Sequence, residues 1–317
     1  MKAAVIYQFG GPDELVVSDV PVPSIEDNEV LIKIEYAGIG QWDIFEREGG
    51  YDAMLGLGSK FPYILGSEGS GVVYAKGKNV KHLEVGDKVY ASGFLNPKGG
   101  FYAEFVAIDS KYAVKVPESI TLQEAGVISG VGLTALRGLE DELELKKDES
   151  IMVLGASGGI GHLAVQLAKN MGAKVFAIAS GEDGVNLLRK LGVEDVVDGH
   201  KDDVLSAAKK IAPDGFDAAL FTAGGNLANL LVQCIRPGGR IAYPNGIYPI
   251  PEKRSDVSLI GYNGEPEPEI INRLNHWITS GKLRAHIDKI FLLEEAHKAH
   301  VALNNHYLGK LCFKINA

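Results

Sequence analysis

Residues 151–161 read IMVLGASGGIG, and the fold turns on them. Four apolar residues run into a glycine-rich turn. Beyond it Ile160, Leu163, Ala164, Leu167, Ala168 and Met171 recur at helical spacing along one face. Residues 174–179, KVFAIA, then read as a second buried strand. Strand, glycine turn, helix and strand make a βαβ unit. Within it Ala156-Ser157-Gly158-Gly159-Ile160-Gly161 fits the dinucleotide fingerprint, with Ala in its first place. Gly158 lets the backbone approach a pyrophosphate, and Gly161 lets helix and strand pack closely. The helix N-terminus adds free N–H groups and a positive dipole. Such a glycine pattern carries weight only between a strand and a helix, which is where it stands.

Working outward, the alternation continues. Helices are expected at 186–191, 204–211 and 227–235, the last stopped by Pro237-Gly238-Gly239. Strands are expected at 195–198, 216–221 and 240–243. This succession predicts an α/β fold with a parallel, doubly wound sheet. Ligands of such sheets sit beyond the carboxyl ends of the strands. The candidate cofactor-binding residues are therefore Gly155, Ala156, Ser157, Gly158, Gly159, Ile160, Gly161, Ser180, Thr222, Ala223, Asn245 and Gly246.

The first 120 residues read differently. Apolar runs or alternation at 3–7, 30–36, 71–74, 85–90 and 101–108 are separated by frequent turn signals, which suggests a small irregular barrel. The glycine-rich stretch 53–62 reads as a loop. Thr121 and Glu124 form a capping box for a helical region reaching about residue 143. After the sheet come a strand at 258–262, an amphipathic helix at 268–280, a helix at 294–303 and a last strand at 309–315.

With 317 residues the chain has room for two domains. Its net charge of −9 argues against a nucleic-acid surface. No apolar run approaches a membrane span, and the N-terminus lacks the apolar core of a signal peptide. Cys234 and Cys312 read as buried thiols of a cytoplasmic protein.

Several further stretches carry a likeness, in order. They are MKAAVIYQFGGPDEL at 1–15, FPYILGSEGSG at 61–71, VGDKV at 85–89, GGFYAE at 99–104, LTA at 133–135, the glycine loop, RPGGR at 236–240 and GK at 309–310. Together they resemble the medium-chain dehydrogenase/reductase superfamily over the full length, and most of all its zinc-free quinone oxidoreductase (zeta-crystallin-like) branch. The resemblance implies a GroES-like β-rich catalytic domain, 1–122 plus 263–317, with a Rossmann dinucleotide-binding domain, 123–262, inserted in it. It also implies a homodimer, often joined through the edge strand of the Rossmann sheet.

Zinc-dependent members bind catalytic zinc through a Cys and a His at positions that match Gly40 and Ser67. Neither residue here can ligate that way, and 92–100 holds no cysteine cluster, so no metal is expected. His297, His300 and His306 read as a solvated helical face. NADPH is favoured over NADH because the second strand ends at Ser180 rather than at an acid. The branch's usual Lys and Tyr toward the 2′-phosphate match Gly184 and Gly199. Arg189, Lys190 and His200 are possible substitutes, and Glu182 and Asp183 leave a ribose-diol contact, and so NADH, open. Without a Lewis acid, the expected reaction is hydride transfer to a quinone or an α,β-unsaturated carbonyl. Tyr51 and Thr134 match residues that the branch places at the substrate and the nicotinamide. Gln41 or Trp42 would shape the pocket where Gly40 replaces the branch's Asn. Asp43 matches a recurrent acid of structural character. Two other readings stay open: an NADP-binding crystallin-like protein with little catalysis, and a carbonyl reductase or alcohol dehydrogenase.

Overall fold

The structure, a computed structural model, describes residues 1–315. Strands β1 (Lys2–Ile6), β2 (Val16–Asp19) and the long β3 (Glu29–Ile39) open the chain. Two short helices follow, α1 (Gln41–Arg47) and α2 (Gly50–Leu55). Next come β4 (Tyr63–Ile64), β5 (Glu68–Lys76), β6 (Lys88–Ser92), β7 (Phe105–Asp109) and β8 (Ala113–Lys115). Helix α3 (Leu122–Arg137) starts on the expected capping box. Glu124 N–H donates to Thr121 Oγ1 at 3.2 Å, and Thr121 N–H donates to Glu124 Oε2 at 2.9 Å. The alternating region runs β9 (Ser150–Leu154), α4 (Gly161–Asn170), β10 (Lys174–Ala179), α5 (Gly181–Lys190), β11 (Asp195–Asp198) and α6 (Val204–Ile211). It continues with β12 (Phe216–Phe221), α7 (Asn226–Val232), β13 (Ile235–Pro244) and β14 (Ser258–Tyr262). Helix α8 (Pro268–Thr279), β15 (Ile287–Leu292), α9 (Ala296–Ala302) and β16 (Lys310–Lys314) complete the described chain.

These elements gather into two compact units. One is Met1–Gly130 with the chain from Pro266 onward; the other is Val131–Glu265. The second unit is built on a sheet in the order β11-β10-β9-β12-β13-β14, parallel at every pairing. That is the doubly wound dinucleotide-binding order, with β9 and β12 side by side where the winding reverses. Ile151, Met152 and Val153 have no exposed surface, as a strand covered on both faces requires.

In the first unit β3 is the shared strand. One edge pairs with β5. The other pairs with β7 along its first half and with β16 along its second. A Cβ at Gly71 would run into the Lys33 carbonyl across the β3–β5 ladder, beside a register shift at Ile34/Tyr36, so only glycine lets the strands approach there. Ile32, Ile34, Val89, Val106 and Phe313 pack in the core beneath. Each such buried side chain contributes about 1.5–3 kcal/mol.

Three expectations change. Residues 53–62 are not all loop, because α2 reaches Leu55 before Gly56, at φ +64°, ends it. The strand expected at 101–108 begins only at Phe105. Phe101 and Tyr102 instead donate their N–H groups to Gly66 and Leu65. Pro237-Gly238-Gly239 does not break the chain before a strand. It lies inside β13, which absorbs it through a register shift against β12.

Candidate active site

The glycine loop leaves β9 at Gly155, whose φ of +74° is the left-handed conformation that glycine adopts freely. A Cβ there would also meet Thr222 Oγ1 at 2.5 Å. Thr222 ties the two central strands together: its hydroxyl donates to Leu154 O at 2.8 Å and its N–H to the same oxygen at 3.0 Å. Ala223 lies against Gly155 as well. Ala156 N–H bonds Ile178 O, which holds the loop on β10. At Gly161 a Cβ would strike Gly155 O, so this glycine is what brings α4 onto the strand. At Gly158 the nearest group is Gly155 O at 3.4 Å, which leaves the backbone approachable. Gly159 and Ile160 lead into the first turn of α4, whose N-terminal N–H groups suit an anion.

Ser157 and Ser180 meet, with the Ser180 N–H on Ser157 Oγ at 3.1 Å. The loop, Ser180, Thr222 and Ala223 thus form one continuous edge at the carboxyl ends of β9, β10 and β12. Asn245 and Gly246 end β13 on the far side. Asn245 Nδ2 donates to Asn263 Oδ1 at 2.8 Å, so that side chain is engaged with the segment after β14. Thr134 belongs to the same unit. Its carbonyl accepts the Tyr262 hydroxyl at 2.9 Å, and Gly264 lies close against its side chain. A groove of about 650 Å³ lined by Lys209, Cys234 and Arg254 sits at the amino ends of β12 and β13, away from the glycine loop.

Tyr51 lies in the other unit, on α2. Its ring packs edge-on between Phe45, at 4.7 Å, and Phe94, at 4.9 Å. Burial first, then the nearby Glu46 and Asp43 charges, push its phenol up to about 12. The group keeps its proton at neutral pH and is available as a hydrogen-bond donor.

Around Gly40 and Ser67, Trp42, Asp43 and Glu68 are joined by Lys310 and Tyr102, the two members that sequence reasoning missed. A Cβ on Gly40 would meet the Trp42 ring at 2.5–2.6 Å, so the indole occupies the space of the missing side chain. Glu68 is fully buried. Its Oε2 accepts the Gly130 N–H at 2.7 Å and the Ser129 hydroxyl at 3.1 Å, and Lys310 Nζ stands 2.8 Å from its Oε1. The same ammonium lies 4.3 Å over the Trp42 ring. The pairing of β16 with β3 places Leu311 opposite Ile39, which brings Lys310 to this corner.

Asp43, also fully buried, accepts the Gly40 N–H at 2.7 Å and the Tyr102 hydroxyl at 2.8 Å. Burial nonetheless pushes its carboxyl up to about 7. Gln41 is spent on Leu303 O. His300 is a correction: it is not part of a solvated face. It is fully buried, 2.9 Å from Arg47 Nη1, and burial holds its imidazole down at about 3. His297 does face solvent, against Asp13. Among the described residues no three His, Cys, Asp or Glu side chains gather as a metal site would need.

Residues 26–118 match the family model described as the alcohol dehydrogenase GroES-like domain, and residues 159–259 match that described as zinc-binding dehydrogenase. A quinone oxidoreductase of Sus scrofa is 29% identical, over 95% of this chain and 93% of its own. An NADPH-dependent alkenal/one oxidoreductase of Arabidopsis thaliana is 31% identical, over 91% of this chain and 72% of its own. The solved quinone oxidoreductase from Coxiella burnetii superposes with a TM-score of 0.88 at 30% identity, covering 100% of this chain and 99% of its own.

Proposed function

The chain belongs to the medium-chain dehydrogenase/reductase superfamily, in its quinone oxidoreductase branch, and from that premise we propose how it acts. It is a nicotinamide-dependent oxidoreductase of quinones or α,β-unsaturated carbonyls. We read its cofactor as NADPH and its chemistry as zinc-independent. When bound, the cofactor supplies hydride to the substrate. The loop from Gly155 to Gly161 holds the pyrophosphate, and Thr222 keeps that loop on the central strands. Thr134 is assigned to the nicotinamide side by its match to the threonine of the branch. Asn245 and Gly246 are assigned to the cofactor edge by their place at the end of β13.

The observation that carries the zinc-free reading is the donor set at the corner of Gly40 and Ser67. Asp43 is held there by the Gly40 N–H and the Tyr102 hydroxyl, which leaves Glu68. It already holds the Lys310 ammonium, under the Trp42 ring, in the place of a thiolate and an imidazole. Reduction of a conjugated acceptor suits such a site. Charge arrives on an oxygen remote from the carbon that takes hydride, and a donor can receive it there. Tyr51 offers that donor, and its aromatic neighbours exclude water around it.

The domain division read from the sequence, 1–122 with 263–317 and 123–262, belongs to this proposal. So does a homodimer joined through β14, which forms one edge of the parallel sheet. No helix of the described residues is long and apolar enough to cross a membrane. Cys234 and Cys312 are free and buried, in keeping with a cytoplasmic protein.

The test is an NADPH-oxidation screen across quinones, enones and enoyl thioesters, with metal analysis of the same preparation. Turnover on quinones or enones without stoichiometric zinc is expected. Absence of turnover on all three classes, or one tightly held zinc per chain, overturns the proposal.

A further inference from the structure

A side chain at residue 184 has no room. A Cβ on Gly184 would lie 2.9 Å from Ser157 Cβ and Oγ and 3.3 Å from Ala179 Cβ. A lysine there would push the first turn of α5 away from the glycine loop and disturb the bond from the Ser180 N–H to Ser157 Oγ. A cation for a 2′-phosphate has to come from another position. Arg189 and Lys190 lie in the last turn of α5. They are about 12 Å along the helix from the turn that faces Ser180.

His200 is better placed. It is exposed, and its Nε2 lies 3.0 Å from Ser180 Oγ. Its backbone is anchored, with the His200 N–H donating to Asp198 Oδ1 at 3.0 Å. The same oxygen accepts the Gly181 N–H at 3.1 Å, so one carboxylate fixes the end of β11 and the start of α5 together. Asp198 is only 5% exposed, and its second oxygen is buried too, so it does not offer itself to a ribose hydroxyl.

Other charged side chains stand around the pair, and Lys201 among them is exposed. Lys201 reaches Glu182 at 3.8 Å, Asp202 accepts the Asp198 N–H at 2.7 Å, and Asp183 accepts the Gly184 N–H at 2.9 Å. Ser180 and His200 therefore present a hydroxyl and an imidazole side by side just past the second strand, where this fold holds the adenosine ribose. An imidazole with an N–H donor, and with positive charge once protonated, complements a phosphate.

We propose that Ser180 and His200 form the subsite for the 2′-phosphate and that they, in place of a lysine, set the preference for NADPH. The inference rests on the cofactor reading above and names the residues behind it.

The experiment is isothermal titration of the full-length protein with 2′,5′-ADP and with 5′-AMP, alongside NADPH and NADH titrations followed by nicotinamide fluorescence. The parent should bind 2′,5′-ADP more tightly than 5′-AMP. His200→Ala should weaken 2′,5′-ADP at least tenfold and 5′-AMP far less, while His200→Arg keeps the preference. Retained 5′-AMP binding shows that the unit is folded. Should His200→Ala lose both ligands, Ser180→Ala and His200→Gln put the same question with smaller changes. If the parent prefers 2′,5′-ADP and these variants keep the same ratio, the subsite is elsewhere while the NADPH reading stands. If the parent binds the two nucleotides alike, the NADPH reading fails and the subsite fails with it.

Discussion

Glu46 is a carboxyl group where an apolar side chain would pack with less cost. It is 5% exposed on α1. Its Oε1 accepts the Tyr63 hydroxyl at 2.7 Å, and its Oε2 is buried without a partner. Burial, with the Asp43 charge as the second cause, pushes it from 4.5 up to about 8. The folded chain therefore keeps a proton that the unfolded chain releases above its own lower value. The associated stability is complete below the unfolded value and falls as pH rises, until the folded carboxyl also ionises near 8. Between pH 5.5 and 8 the fall due to this group is about 2.5 pH units at 1.36 kcal/mol each, or about 3 kcal/mol.

Glu46→Gln has no proton to release. The variant should gain about 3 kcal/mol on the parent across that interval. Any cost of burying the amide is the same at both pH values and cancels. The assay is urea unfolding followed by tryptophan fluorescence. Trp42 and Trp277 are the chain's two tryptophans, and both lie in the unit that holds Glu46. At urea slopes of about 1–3 kcal/mol/M, the midpoints should separate by about 1–3 M more at pH 8 than at pH 5.5. Parallel pH profiles for the two proteins would refute the reasoning.

Three further substitutions address Lys310, Glu68 and Tyr51. Lys310→Met strands the Glu68 carboxylate and should cost about 3–5 kcal/mol in the same urea assay. Adding Glu68→Gln should recover most of it, and a single variant as stable as the parent would show that the pair does not matter. Tyr51→Phe should lower kcat/KM for an enone by about a hundredfold, with NADPH affinity unchanged. Unaltered steady-state kinetics would remove the phenol from the chemistry.

The nucleotide-binding unit was legible in the sequence because its signals are local. A strand, its glycine turn and its helix lie within some twenty residues, and the capping box at Thr121 spans four. The buried polar corner was not legible, because its members are distant in sequence. Lys310 meets Glu68 through the pairing of β16 with β3, while Asp43 meets Tyr102 across 59 residues of chain and Arg47 meets His300 across 253. Helix α1 was missed for a second reason. It buries Asp43, Glu46 and Arg47 and leaves Phe45 exposed, the reverse of the pattern that announces a surface helix. His300 looked solvated because it was grouped with His297 and His306, although Ala296, Ala299 and Leu303 set it on the apolar stripe of its helix, and nothing local shows the arginine that covers it. The pairing of Ser180 with His200 had a trace, a histidine just past the third strand, but not the distance that joins them.

The position of β16 has a consequence for the order in which the chain takes shape. The strand lies against β3, yet the whole nucleotide-binding unit is synthesised between the two. As the chain emerges from the ribosome, β3 first has β5 and β7, while half of its second edge stays open and Glu68 has no counter-charge. The intervening unit is continuous and can close on itself in the meantime. The first unit must wait for a partner of high sequence separation, which makes its completion the slow, non-local step. A chain truncated after residue 265 should therefore hold a formed dinucleotide fold beside an unfinished barrel.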